Sequence, residues 1–381
     1  MKIVQIIPDD RDAFSRYDVE IPFFGPAPTA LLEGFERLGD SVEVHVVSCV
    51  RHPLSAPEKV ADNIFYHQVF IPGGYRRTLF IDAVRKVRRK IHEINPDIVH
   101  GQGTEDYPAV SAAFSGFPNL ITIHGNMRAV AKKLRYRPFR YLAITLAGEV
   151  TALHKTDAVI CSSDYTARCV GNLNQSKIRI PNAVRTPFFD LSWEPADPPR
   201  LLCVGHILSY KNQIGLIQAL DGFAEKMGVR LVFAGKCQPM DAYQKLFLKM
   251  VSERAWCEYA GALDRTHLQQ LLCTCAGVVH PTLEDNSPLA VAEAQAIGIP
   301  VAASAIGGVP DLIQHGETGL LFDPQDPESI REQVRILLDK ATASRIASQA
   351  KQFARQKYYP ESVARQHIEC YQRILHPSRN L

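Results

Sequence analysis

Short apolar runs alternate along most of the chain with stretches whose apolar positions recur every three or four residues. The runs read as strands buried on both faces, and the stretches read as the helices that cover them. This is the pattern of a parallel sheet wound with helices. In the first half the predicted strands are Lys2–Ile7, Val42–Val47, Ile98–His100, Leu120–His124 and Ala158–Cys161. A loop at Phe23-Phe-Gly-Pro-Ala-Pro-Thr-Ala leads into a helix expected from about Thr29 to Leu38. Leu191-Ser-Trp-Glu-Pro-Ala-Asp-Pro-Pro199 is proline-rich and acidic and reads as a linker. The wound pattern then restarts, with strands at Arg200–Gly205, Arg230–Ala234, Cys257–Tyr259, Val278–His280 and Val301–Ala303. Glycine-containing loops trail them at Gly235, Gly261 and Gly307-Gly308. After Tyr358-Tyr359-Pro360 a last helix runs from Glu361 to Leu375. Domains are therefore expected at 1–190 and 191–358, with 359–381 as a closing segment.

Composition agrees with a globular chain of two ordinary domains: 381 residues, 46% apolar and 22% charged. No apolar run approaches the roughly 20 residues of a membrane span. The first seven residues, Met1-Lys-Ile-Val-Gln-Ile-Ile, are too short an apolar run for a signal peptide. Nine cysteines without a Cys-x-x-Cys pair read as reduced thiols of a cytosolic protein, and Cys273-x-Cys275 lacks zinc-spaced partners. The net charge of +3 hides an excess between Arg76 and Arg140, where 13 basic side chains face 5 acidic ones.

The stretch His280 to Pro300 carries the most pointed chemistry. Ala276–His280 is a buried strand, and Asp285-Asn-Ser-Pro288 is a helix start signal. The helix is expected over Leu289 to Ile297, stopping at Gly298 before Pro300. Asp285 and Glu293 stand eight positions apart, which on a continuous helix puts them on one face, about 12 Å apart. The N–H groups of Asn286 and Ser287, with Pro288 and Leu289 beside them, would form a helix mouth that favours an anion. Such an arrangement suits a phosphorylated sugar, with N–H groups for phosphate and carboxylates for hydroxyls. Alternatively the stretch is a capped helix with an unrelated Glu in its middle. Elsewhere, His124 and Gly125 end a strand, where open α/β sheets bind ligands. Gly101-x-Gly103 follows a strand but lacks the third glycine of a dinucleotide fingerprint.

The acidic-x7-acidic pattern at Asp285 and Glu293 resembles that of the GT-B glycosyltransferases, in particular the large retaining family numbered four. The resemblance implies two Rossmann-like, doubly wound parallel-sheet domains facing a cleft, with a last helix crossing back to the first domain. It implies that the first acid contacts the donor sugar and the second grips the nucleotide ribose. Family members usually carry Glu at the first position, so Glu284 could serve in place of Asp285. Val204-Gly205-His206-x4-Lys211 resembles the family's diphosphate clamp, with His206 where Arg is usual; an imidazole beside a diphosphate would tend to be protonated. The His124-Gly125 pair matches part of the family's donor pocket, and Gly25 stands in the loop where relatives carry two glycines for the acceptor. Site residues implied in this way are His124, Lys211, Asp285 and Glu293. Gly205, His206, Gly235, Gly261, Glu284, Asn286, Ser287, Pro288 and Leu289 would lie around the donor.

The expected activity is retaining transfer from a UDP- or GDP-linked sugar to a glycan, lipid-linked or small-molecule acceptor, with no metal and no cofactor. Rival readings are a nucleotide-sugar epimerase of the same fold and a basic nucleic-acid-binding protein using the Arg76–Arg140 cluster, though no nucleic acid is expected. The runs Arg85–Lys90 and Lys132–Arg140, the second interleaved with aromatic residues, would suit peripheral contact of a cytoplasmic enzyme with an anionic membrane.

Overall fold

The computed structural model describes residues 1–13, 16–133, 139–238 and 241–377. The chain forms two compact units, Met1–Arg185 with Tyr359–Leu381, and Thr186–Tyr358. The division falls slightly ahead of the expected break at 190/191. The proline-rich segment beyond it is not a free linker: Glu194 and Ala196 donate N–H groups to the carbonyls of Cys273 and Thr274, at 2.8 and 3.0 Å. The Trp193 indole reaches the Cys275 carbonyl at 2.7 Å. Its prolines remove donors, but its remaining backbone groups are paired along the second unit.

Unit 1 is built on eight strands: β1 (Lys2–Ile6), β2 (Glu43–Val50), β3 (Lys59–Ala61), β4 (Ile64–Phe70), β5 (Ile98–Gln102), β6 (Asn119–Ile123), β7 (Ala158–Cys161) and β8 (Lys177–Arg179). Their order is β3-β4-β2-β1-β5-β6-β7-β8, parallel throughout except for the short outermost β3. Alternate residues of β1 feed two core layers. Ile3 faces Phe35, Leu120 and Val363, whereas Val4 and Ile6 face Ala83, Val87 and Ile91 of the Ile81–Ile94 helix. Helices therefore cover both faces, which is why the central strands are mainly apolar on both sides.

The predicted Thr29–Leu38 helix begins earlier, at Pro26, because a proline in the first turn gives up only an N–H with no intrahelical partner. The Pro360–Leu375 helix packs against it. Gly34 makes that approach possible: a β-carbon there would stand 2.2 Å from the Pro360 carbonyl oxygen. Beneath, Tyr371 enters a buried polar chain. The Gln5 amide donates to its hydroxyl at 2.9 Å, and His100 Nδ1 lies 2.7 Å from the same oxygen. His100 Nε2 meets the Thr122 hydroxyl at 2.7 Å.

Unit 2 repeats the plan with six strands, all parallel: β9 (Arg200–Val204), β10 (Arg230–Ala234), β11 (Cys257–Gly261), β12 (Gly277–His280), β13 (Val301–Ser304) and β14 (Leu320–Phe322). The order is β11-β10-β9-β12-β13-β14. Its core joins Leu201, Leu231, Phe233, Val279 and Phe322 to Leu216, Leu220, Phe247, Val334 and Leu337 from the flanking helices. Burying one such side chain contributes about 1.5–3 kcal/mol.

Gly34→Val should lower the stability of the protein by roughly 2 kcal/mol or more, because the added branches overlap the last helix. Thermal unfolding checks this; a variant that melts at the native temperature would show that the two helices do not depend on that contact.

Candidate active site

In unit 2 the chain runs outward from β9 to β10 and β11, then returns to lay β12 on the other side of β9. The crevice beyond the carboxyl ends of β9 and β12 is thus a topological switch point, where open α/β sheets take their ligands. Two loops meet there. The loop after β9 carries Gly205, His206, Tyr210 and Lys211, and the loop after β12 carries Glu284, Asp285, Asn286 and Ser287. They are laced together by the Tyr210 carbonyl, which accepts from the Leu283 N–H at 2.7 Å and from the Thr282 hydroxyl at 3.2 Å. Gly235 and Gly261, at the ends of β10 and β11, complete the rim. A β-carbon on Gly235 would stand 2.0 Å from the Gly205 carbonyl oxygen, so this crossing of chains requires glycine.

The Lys211 ammonium forms an ion pair with Asp285. His280, buried at the end of β12, donates from Nε2 to the same carboxylate oxygen at 3.1 Å. Burial pushes the Asp285 carboxyl up, but Lys211 and His280 outweigh it and hold the group at about 2. The same pair works in reverse on Lys211, whose pKa is raised despite burial. Asp285 is therefore the acid that meets Lys211. The Glu284 segment is held differently, its backbone N–H and carbonyl both bonded to the Thr282 hydroxyl, at 3.3 and 2.8 Å.

The helix spans Leu289–Ile297 as expected and ends at Gly298, whose φ of +90° is the left-handed conformation that suits glycine. Its N-cap is Pro288, with no side-chain cap. Two expectations change as a result. Asp285 lies in the loop ahead of the helix, so it does not share a helical face with Glu293, which sits half-buried in the second turn. The open N–H groups at the helix mouth are those of Leu289 and Ala290, because Pro288 has none, while Asn286 and Ser287 belong to the preceding loop. The Gly307-Gly308 turn fixes the loop from behind: Gly308 donates to the Asp285 carbonyl at 2.9 Å, and a β-carbon on Gly307 would stand 2.3 Å from that oxygen.

His206 is exposed, and its pKa is lowered by partial burial and by Lys211 and Lys236. The free protein thus carries it neutral near pH 7, and only an anion at the site would favour the protonated form anticipated from the clamp.

His124 belongs to unit 1, just beyond β6. Its Nε2 donates to the Gln102 side-chain oxygen at 2.9 Å, and burial, with His367 adding, lowers its pKa to about 4. The Gly125 N–H donates to the Glu105 carboxylate at 2.6 Å, and burial raises that carboxyl to about 7. A β-carbon on Gly125 would stand 2.5 Å from the same oxygen. Gly101 and Gly103 serve packing here: a β-carbon on Gly101 would stand 2.7 Å from the Pro108 carbonyl oxygen, and Gly103 has a φ of +91°. Gly25 caps the Pro26–Arg37 helix with an ordinary φ of −55°. Sequence reasoning assigned no part to His280, Glu105 or Gly307. A histidine closing a strand was the available signal for the first, as it was for His124.

Of the basic runs, Arg85, Lys86, Arg88 and Arg89 lie on the exposed side of the Ile81–Ile94 helix. The side chains of the Lys132–Arg140 run lie outside the described residues. Among the described residues no helix is long and apolar enough to cross a membrane.

Two family profiles match consecutive parts of the chain: Glycosyltransferase Family 4 over residues 29–186 and Glycosyl transferases group 1 over residues 188–355. The glycosyltransferase YqgM of Bacillus subtilis is 25% identical over 300 residues, covering 75% of this chain and 80% of that protein. A glycogen synthase of Mycobacterium tuberculosis is 27% identical over 295 residues, covering 72% and 68%. A match to a Methanocaldococcus jannaschii glycosyltransferase, 27% identical over 52% of this chain, spans only 55% of that relative's length. Among solved structures, the sucrose-phosphate synthase of Thermosynechococcus elongatus superposes with a TM-score of 0.78, at 20% identity, over 99% of this chain and 100% of that one. HepE of Anabaena, solved with UDP-glucose, gives 0.71 at 16% identity, over 97% and 99%. Two wound parallel-sheet units, matched in turn by these two glycosyltransferase profiles, establish that the chain belongs to the group 1, family 4 glycosyltransferases of GT-B fold.

Proposed function

We propose that this protein transfers a sugar from a UDP- or GDP-linked donor to a glycan, lipid-linked or small-molecule acceptor, retaining configuration at the anomeric carbon and using no metal. The observation that carries the reading is the Lys211–Asp285–His280 cluster at the switch point of unit 2. A fixed cation beside a helix mouth is suited to a diphosphate, and a carboxylate held ionised is suited to sugar hydroxyls. The UDP and UDP-glucose seen in HepE structures support a nucleotide-sugar donor.

In this reading the bond between the anomeric carbon and the diphosphate oxygen breaks, and its electron pair goes to the leaving phosphate. Lys211, His206 and the N–H groups of Leu289 and Ala290 face the growing charge. The acceptor hydroxyl forms the new bond to the anomeric carbon on the same face, and its proton passes to a leaving phosphate oxygen. Asp285 orients donor hydroxyls, with His280 and Lys211 keeping it unprotonated. Glu293 holds the ribose. The lysine and the helix mouth take the part that a divalent cation plays elsewhere, which is the ground for expecting metal independence.

Glu293→Gln and Lys211→Ala should each cut transfer at least about 100-fold in folded protein, a loss of roughly 3 kcal/mol of transition-state stabilisation. Steady-state assays with the competent nucleotide-sugar test this, and near-native turnover in either variant sinks the assignment. Wild-type activity should fall as rising pH strips the proton from a diphosphate-bound His206, while His206→Arg should flatten the profile and keep activity. An inactive Arg variant would remove His206 from the clamp. Turnover should also persist undiminished after exhaustive treatment with EDTA; loss restored by Mg²⁺ or Mn²⁺ would overturn the metal-free mechanism.

A further inference from the structure

Unit 1 has a second feature at the carboxyl edge of its sheet, beyond β1, β2 and β4. A cavity of about 320 Å³ opens there between Arg51, Tyr75, Arg76, Arg77 and the glycine pair Gly73-Gly74. Arg51 follows the end of β2, and the glycines lie in the turn that leaves β4. Both glycines have positive φ, +81° and +84°, so the turn exposes bare backbone. That floor lets two cationic side chains approach it. A β-carbon on Gly73 would lie 3.0 Å from Arg77 Nη1, and one on Gly74 would lie 3.4 Å from Arg51 Cδ.

The carboxylates of the region are already engaged. Both oxygens of Asp9 accept from Arg11, and one also accepts from the Tyr66 hydroxyl. Asp12 accepts from the Arg51 backbone N–H at 3.2 Å and from its Nε at 2.9 Å. Asp106 accepts from Arg76 Nε and Nη2, both at 3.0 Å. These pairs lock the Arg51 and Arg76 guanidinium planes without adding net charge. Arg77 is exposed and, among the described residues, has no ion pair or side-chain hydrogen bond. The cavity therefore holds one uncompensated cation beside a preset guanidinium whose Nη1 points to no protein partner among the described residues.

We propose that this cavity binds the phosphate group of a phosphorylated acceptor, so that the protein selects acceptors by an anionic ester and not by sugar hydroxyls alone. That the ligand is an acceptor rests on the transferase reading; that the cavity takes a phosphate rests on the cavity itself. Arginine forks already hold carboxylates here, and the Arg77 guanidinium with the remaining Nη1 of Arg51 offers N–H donors to the oxygens of a phosphate. The volume fits a small phosphate ester. The ester is either a soluble metabolite or a phospholipid headgroup, since both present the same oxygens.

Titration calorimetry with glycerol 3-phosphate, with glycerol as the neutral control, tests the soluble source. Co-sedimentation with phosphatidylglycerol vesicles, against phosphatidylcholine, tests the lipid source. Binding of either anionic probe, weakened at least about tenfold in Arg77→Ala and absent in Arg77→Glu, is the expected result. Arg77 is exposed, so both variants should melt at the native temperature. Binding that survives Arg77→Glu, or no binding of either probe by the native protein, overturns the proposal. Parallel titrations with UDP and GDP separate the two readings. If neither nucleotide binds, the donor site in unit 2 is refuted, while the phosphate site still stands or falls on its own probes.

Discussion

Asp285 stands where burial alone would raise the pKa of a carboxyl, and it remains ionised because Lys211 and His280 converge on it. Those two residues belong to different strand ends, β9 and β12, and only the reversal of strand order brings those ends side by side. The pairing in turn constrains the backbone around it. Tyr210 must offer its carbonyl to Thr282 and Leu283, and Gly308 must reach the Asp285 carbonyl across a turn that admits no side chain at Gly307. A buried ion pair is weak support for stability, and removing one partner leaves the other charge exposed to its desolvation cost. Its geometric effect is to keep a carboxylate charged and oriented beyond the carboxyl ends of β9 and β12.

The fold was legible wherever burial leaves a plain imprint. Strands covered on both faces, such as β9 and β13, appear as short apolar runs, and Gly298 with Pro300 marked the end of the Leu289–Ile297 helix. The missed β4 is different. It lies near the edge of its sheet with only short β3 outside it, and its half-exposed positions break the apolar run. Asp285 and Glu293 could be singled out because their spacing is fixed by one loop and one helix. His280 and Glu105 could not be weighted in the same way. Their partners, Asp285 and Gly125, are reached through tertiary geometry, and a buried histidine or glutamate has no sequence signature that separates function from packing. The register of the helix mouth was misplaced for a local reason: Asp285-Asn-Ser is good capping chemistry, but these residues form the loop, and Pro288 takes the cap position instead.

The last helix has a consequence for how the chain is made. Pro360–Leu375 contributes Val363, Ala364 and Tyr371 to the core of unit 1, and Tyr371 closes the hydrogen bonds of Gln5 and His100. Yet these residues leave the ribosome after the whole of unit 2. Until then the N-terminal sheet is synthesised with one apolar face and a row of buried polar groups still awaiting their cover. Thr186–Tyr358, continuous in sequence, can complete its own core first. Maturation of the first unit is thereby tied to successful synthesis of the second, and a truncated product is left with an exposed patch that quality-control proteases can recognise.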